Sequence, residues 1–73
     1  MKNSTIKRAI YSGTFDPITN GHMDILKRGL KVYDEVIIAV ADSSAKQPMF
    51  NINSRIRLVQ KGTKALKGVS IKP

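Results

Sequence analysis

The sequence predicts an α/β domain with a parallel sheet, because strand-like and helix-like segments alternate along its 73 residues. Three observations support this fold class. Residues 35–41 are apolar at consecutive positions, which is typical of a parallel strand that is covered on both faces. Amphipathic segments with helical spacing precede and follow this run. A turn rich in glycine and proline joins the first strand to the first helix.

The first strand is predicted at residues 6–12, where β-branched and aromatic residues are followed by a glycine. Residues 13–20 form a loop that contains Asp-Pro and Asn-Gly turn signals. A helix is expected from about residue 21 to residue 32, with Thr19 or Asn20 as its N-cap. Its apolar stripe consists of Met23, Leu26, Leu30 and Tyr33.

A polar loop at residues 42–50 leads to a second predicted helix at 52–67, which Asn51 is suited to cap. Gly68 is placed to end that helix, and residues 69–71 begin a third strand. The order strand, helix, strand, helix, strand predicts right-handed crossovers within one small domain. The inner stripe of the second helix comprises Ile52, Ile56, Val59, Thr63 and Leu66, and its solvated basic face comprises Arg57, Lys61 and Lys64.

The composition narrows the class of protein and of site. There is no cysteine and only one histidine, His22, which excludes disulfides, thiolate metal sites and multi-histidine metal sites. No segment is long and apolar enough to span a bilayer, and residues 1–8 lack a signal sequence, so a cytoplasmic protein without a membrane partner is expected. The net charge of +8 favours phosphate-bearing partners. The cations are scattered and the aromatics are few, so nucleic-acid binding is not expected.

The turn after the first strand has the residues that a phosphate site requires. Gly13 permits close approach to the main chain, and Thr14 offers a hydroxyl at the carboxyl end of the strand. Gly21 keeps the start of the helix free of bulk, and His22 lies in its first turn, where an anion is favoured. A histidine there donates one hydrogen bond when neutral and two when protonated. A cap or surface histidine is the alternative interpretation.

The segment Gly-Thr-Phe-Asp-Pro-Ile-Thr-Asn-Gly-His-Met-Asp-Ile resembles the nucleotidyltransferase superfamily, whose signature takes the form T-x-G-H at residues 19–22. Within that superfamily the chain closely resembles the bacterial phosphopantetheine adenylyltransferases. Residues 46–50, Lys-Gln-Pro-Met-Phe, and the arginine at Arg55 carry the same resemblance. It extends from Lys7 to the end of the chain.

The resemblance implies a Rossmann-like nucleotidyltransferase fold, of which residues 1–73 would be the N-terminal part of a single domain. It also implies adenylyl transfer from ATP to 4′-phosphopantetheine with Mg²⁺, which gives dephospho-CoA and pyrophosphate in coenzyme A biosynthesis. By position, His22 would stabilise the transition state and contact ATP. Thr14 would bind both ATP and the attacking phosphate, Phe15 would offer its backbone N–H to ATP, and Lys46 would bind the phosphopantetheine phosphate. No metal ligand is assigned to the protein.

The chain departs from the family pattern in its length, because the later ATP-contacting motifs are missing. We therefore expect it to be the front half of a domain, inactive alone, from a family whose full-length members form homo-oligomeric hexamers. Two alternatives stay open. One is a related nucleotidyltransferase that acts on another phosphate substrate, and the other is a non-catalytic module that binds nucleotides or CoA.

Overall fold

The computed structural model describes residues 5–42 and 50–73 and contains three strands and two helices in the predicted order. The strands are β1 (Arg8–Gly13), β2 (Glu35–Val40) and β3 (Val69–Lys72), and the helices are α1 (Asn20–Val32) and α2 (Ile52–Thr63). All pairings are parallel and the strand order is β1-β2-β3. The predicted α/β class and alternating pattern are confirmed.

Both helices cover the same face of the sheet. Val36, Ile38 and Val40 of β2 are buried in one cluster with Leu26 of α1 and Val59 of α2. The helices also approach each other, since a Cβ placed on Gly62 would lie 3.8 Å from the sulfur of Met23. Two right-handed crossovers that progress in one direction across a sheet place both helices on one side.

No helix covers the opposite face of the sheet among the described residues, so these residues cover β2 on one face only. Ile10 is 70% exposed and pairs in register with Ile37, which is only half-buried. The same face carries the ion pair between Arg8 and Glu35, with 2.6 Å between Nε and Oε1. Among the described residues, the apolar run of β2 is therefore covered by one helical layer.

Helix α2 ends at Thr63, four residues before the predicted end at residue 67. The buried Thr63 hydroxyl donates to the carbonyl of Val59 at 2.8 Å, and the N–H of Leu66 donates to the carbonyl of Thr63 at 2.9 Å. These bonds close the last turn while Leu66 still packs on the core. The predicted inner stripe of α2 is otherwise confirmed.

Gly68 has a left-handed backbone with φ of 84°, but it precedes β3 and does not cap α2. A Cβ at this position would lie 2.6 Å from the carbonyl oxygen of Asp34, so glycine is required by close backbone approach. In α1, Thr19 is the N-cap, and Tyr33 is an exposed C-cap and not part of the buried stripe. The other three stripe residues of α1 are buried or pack against the core.

Candidate functional site

The predicted phosphate turn lies at the carboxyl edge of the sheet, between the end of β1 and the start of α1. The N–H of Ala41 donates to the carbonyl of Gly13 at 2.8 Å, so the pairing of β1 with the chain after β2 continues up to the turn. Helix α1 points its N-terminus to the same edge. In parallel α/β sheets, this edge is where ligands bind.

Thr19 and His22 close a reciprocal capping box at the start of α1. The N–H of His22 donates to Oγ1 of Thr19 at 3.3 Å, and the N–H of Thr19 donates to Nδ1 of His22 at 2.9 Å. Nδ1 is therefore an acceptor. In the neutral imidazole, the proton then resides on Nε2, which is left to donate a hydrogen bond outside the box.

The imidazole of His22 is also held by two aromatic rings. Its centroid lies 4.9 Å from that of Phe15 and 6.3 Å from that of Tyr11. Tyr11 and Phe15 meet edge to face, with centroids 5.2 Å apart and an interplanar angle of 85°. Edge-to-face contacts at these distances are favourable. The cluster of Tyr11, Phe15 and His22, together with the capping box, fixes where Nε2 can lie.

Thr14 and Phe15 are neighbours in the phosphate turn, but one side chain is exposed and the other is buried. Thr14 is exposed, whereas the side chain of Phe15 is 2% exposed and belongs to the core. The backbone of Phe15 is left-handed, with φ of 48°, which costs roughly 1–2 kcal/mol for a residue with a Cβ. Residues held in such conformations cluster at ligand sites. Thr14, Phe15 and His22, all predicted site residues, are brought together here.

The two predicted glycines have different roles. Gly13 has no left-handed backbone, and a Cβ there would lie 3.3 Å from the ring of Phe15. Gly13 thus leaves space for the Phe15 ring, and the close approach of a ligand to its main chain stays a prediction. At Gly21 a Cβ would meet only Oγ1 of Thr19 at 3.6 Å, which is an ordinary contact. The protein itself would therefore accommodate a side chain at Gly21, as expected for space kept for a ligand.

Arg55 is a residue of this region whose contacts were not expected from the sequence. It is 1% exposed, and its guanidinium donates to carbonyl groups in three separate segments of the chain. Nη1 donates to Thr14 at 2.8 Å and to Ala41 at 2.9 Å, and Nε donates to Phe50 at 3.0 Å. The sequence did contain a signal, because Arg55 occupies an inward position of the apolar stripe of α2.

Asp16 reinforces the same junction. Its Oδ1 accepts a hydrogen bond from the N–H of Phe50 at 2.8 Å, which connects the phosphate turn to the residue before the α2 cap. The Asp16–Pro17 peptide bond is cis. The first turn and the approach to α2 are thus joined by Asp16 from one side and by Arg55 from the other.

Lys46, predicted to bind the acceptor phosphate, lies outside the described residues.

Within residues 5–42 and 50–73, no group of three histidine, cysteine, aspartate or glutamate side chains is arranged to hold a metal ion. In the same two ranges, no helix is long and apolar enough to cross a membrane. A groove of about 720 Å³ does exist on the outer side of α2, between Phe50 and Lys64, but Thr14, Phe15 and His22, the site residues that the structure describes, do not line it.

The turn can therefore hold an anion by hydrogen bonding and charge. The start of α1 contributes the positive end of its dipole, and its exposed first residues leave that end accessible. The Nε2 of His22 adds a directed donor. No acidic side chain lies in the first turn of α1 to compete with a bound anion.

This chain is similar in sequence to curated phosphopantetheine adenylyltransferases. The chain is 51% identical over 65 residues to a phosphopantetheine adenylyltransferase of Campylobacter curvus, covering 89% of this chain and 42% of the relative. Against the phosphopantetheine adenylyltransferase of Helicobacter hepaticus, the identity is 52% over 63 residues, with 86% and 38% covered. The chain thus spans about two fifths of the length of these curated relatives.

Two solved structures share the fold. A NadR protein in complex with NAD and AMP-PNP superimposes with a TM-score of 0.82 at 20% identity, covering 99% of this chain and 21% of that protein. A lipopolysaccharide core biosynthesis protein from Thermoplasma volcanium superimposes with a TM-score of 0.72 at 32% identity, covering 94% and 59%. Residues 10–73 match the family described as cytidylyltransferase-like. With that match, the parallel fold and the histidine-bearing turn, the chain belongs to the cytidylyltransferase-like nucleotidyltransferase family.

Proposed function

We propose that this protein takes part in adenylyl transfer from ATP to 4′-phosphopantetheine, with residues 1–73 forming the N-terminal part of a single nucleotidyltransferase domain. The observation that carries the proposal is the capping box at α1, which turns the Nε2 of His22 into a fixed donor at a helix N-terminus. Relatives at about half identity that are named for this activity support the choice of substrates.

In this reaction a phosphate oxygen of the acceptor attacks the α-phosphorus of ATP. The bond from the α-phosphorus to the bridging oxygen breaks, and pyrophosphate leaves with that oxygen. Negative charge grows on the oxygens around the α-phosphorus, and a donor aimed at them lowers the barrier. His22 supplies that donor, while the N–H of Phe15 contacts ATP and the hydroxyl of Thr14 holds the attacking phosphate. Phosphoryl chemistry of this kind depends mainly on positioning and charge.

Two further parts of the proposal concern the positive charge that neutralises the phosphates of the two substrates. Lys46 binds the phosphate of phosphopantetheine as a point charge. Mg²⁺ would come bound to ATP and would neutralise part of the charge on its phosphates. A cation that binds nucleotide phosphates and water needs few protein ligands, and the described residues offer no three-ligand cage for it.

A chimera tests the proposal. This chain replaces the matching segment of the Campylobacter curvus relative, and pyrophosphate release is measured with ATP and 4′-phosphopantetheine. We expect turnover that depends on both substrates, and Lys46→Ala should raise the KM for phosphopantetheine while leaving that for ATP nearly unchanged. A folded chimera without pyrophosphate release would overturn the proposed activity. Equal increases in both KM values would overturn the assignment of Lys46.

A further inference from the structure

Arg55 is a buried cation whose partners include the phosphate turn. Its Nη1 lies 2.8 Å from the carbonyl oxygen of Thr14. An arginine side chain remains charged under all ordinary conditions, and a buried charge is costly unless hydrogen bonds satisfy it. An apolar side chain at this inward position would fill the stripe of α2 without that cost. The placement of an arginine here therefore calls for a role beyond packing.

The carbonyl that Arg55 engages belongs to the same peptide group as the N–H of Phe15. A peptide group is planar, and in the trans form its C=O and N–H point in opposite directions. Among the described residues, the Asp16–Pro17 bond alone is cis, so the Thr14–Phe15 peptide is trans. With its oxygen drawn inward to Arg55, this peptide points the N–H of Phe15 away from the guanidinium.

The N–H of Phe15 is available to a ligand. Within residues 5–42 and 50–73 it donates to no acceptor. The left-handed backbone of Phe15 and its buried ring determine the orientation of the peptide from the other side. A charged donor on the carbonyl also polarises the peptide, because linked hydrogen bonds strengthen one another in a low-dielectric interior.

We propose that Arg55 is a positioning residue that orients and polarises the Thr14–Phe15 peptide, so that the Phe15 N–H binds an ATP phosphate oxygen. Arg55 does not itself touch the nucleotide. It acts through one peptide group, while its bonds to Ala41 and Phe50 hold the guanidinium in place. This inference rests on the proposed function and assigns to α2 a share in the binding of the nucleotide.

The kinetic test uses the active chimera with Arg55→Gln, Arg55→Lys and the control Arg57→Gln, an exposed arginine of the same helix. We expect Arg55→Gln to lower kcat/KM for ATP by about 10- to 100-fold, since a donor aimed at a transition-state oxygen contributes up to about 10³-fold. Arg55→Lys keeps the positive charge but loses the planar guanidinium with its several donors. Its kcat/KM for ATP should therefore lie between that of Arg55→Gln and that of the parent chimera. Arg57→Gln should stay within about two-fold of the parent, as surface changes usually do.

A purely structural role predicts a different pattern. Arg55→Gln would then lower the melting temperature, while kcat/KM for ATP measured well below that temperature would stay within two-fold of the parent. That result would overturn the inference. If the parent chimera shows no turnover, the proposed function fails, and the following measurement still decides whether Arg55 holds and polarises the Thr14–Phe15 peptide.

The second measurement is an NMR comparison within the unaltered 73-residue chain. The guanidinium protons of Arg55 should exchange with water far more slowly than those of Arg57, and the Phe15 amide proton should resonate downfield as a polarised donor. In Arg55→Lys, the Phe15 amide proton should move upfield. Equal exchange rates for the two arginines, or an unmoved Phe15 resonance in a folded Arg55→Lys chain, would overturn the inference.

Discussion

The N-termini of α1 and α2 are both stabilised by a capping side chain, but the two caps differ in what else they do. Each helix follows a parallel strand, begins with a capping side chain and lacks an acidic residue in its first turn. At α2, Asn51 accepts from the N–H of Ser54 at 2.8 Å, and the next residue is the buried Arg55. At α1, the cap is reciprocal, and the third helical residue is His22, whose Nε2 takes no part in the cap.

The difference shows that a cap can be both structural and functional, depending on the side chain that completes it. A glutamate or glutamine usually fills the third position of a capping box. Either would satisfy the N–H of Thr19, but glutamate would add negative charge beside a helix N-terminus that otherwise attracts anions. His22 satisfies the same N–H and leaves a donor on Nε2. The following predictions test this contrast, beginning with the largest effect.

Replacing His22 should separate stability from activity. In the chimera, we expect His22→Ala to lower kcat by about 10²- to 10³-fold, because it removes a transition-state donor. His22→Glu should lower kcat at least as much, yet fold more stably than His22→Ala by about 0.5–1 kcal/mol, since it restores the capping box and suits the helix dipole. Pyrophosphate release and thermal unfolding measure the two effects.

A His22→Glu chimera with higher kcat than His22→Ala would contradict this prediction. It would mean that the imidazole acts as a structural cap and that the donor on Nε2 is not used.

The glycine at the start of α1 gives a more moderate test. Gly21→Ala and Gly29→Ala each place a Cβ 3.6 Å from the nearest atom, so neither is expected to disturb packing. Alanine should stabilise the helix by up to about 1 kcal/mol at either position. Only Gly21→Ala should raise the KM for ATP several-fold, because its Cβ enters the space in front of the helix N-terminus. Equal KM values for the two variants would place the nucleotide elsewhere.

The cap residues themselves provide the smallest expected effect. Thr19→Ala and Asn51→Ala should each cost about 1 kcal/mol in the free energy of unfolding, the usual value of an N-cap. Thr19→Ala should in addition lower kcat, because Oγ1 of Thr19 lies 3.0 Å from Nδ1 of His22 and helps to hold the ring. Denaturant unfolding and turnover of both variants measure the contrast. A loss of turnover in Asn51→Ala that matches the loss in Thr19→Ala would remove the distinction between the two helix starts.

Features of this fold that depend on residues close together in the chain were predicted from the sequence. Features that depend on contacts between distant residues were not. The cap at Thr19 or Asn20, the cap at Asn51 and the element order depend on residues within a few positions of each other, and all were predicted. The role of Arg55 depends on carbonyls 41 and 14 residues away, which no periodicity reveals. The early end of α2 was missed because a threonine hydroxyl competes for helix carbonyls in a way that apolar spacing does not show.

Which face of β2 the two helices cover was not predicted, for a related reason. A run of apolar residues in a strand indicates that these residues can be buried. Which face of the strand is covered depends on the side of the sheet on which the crossovers place the helices. The three-ring cluster around His22 likewise joins residues from a strand, a turn and a helix. Its members were visible in the sequence, but their meeting depends on the left-handed backbone at Phe15.

The strand order β1-β2-β3 has a consequence for how this chain folds while it is being synthesised. Among the described strands, each pairs with the strand nearest to it in the sequence, so Arg8 meets Glu35 across 27 positions. The entropy of closing such loops grows only slowly with their length. As a ribosome releases the chain from its N-terminus, β1, α1 and β2 can dock before β3 is synthesised, and the contacts of the phosphate turn with Phe50 and Arg55 form when α2 follows.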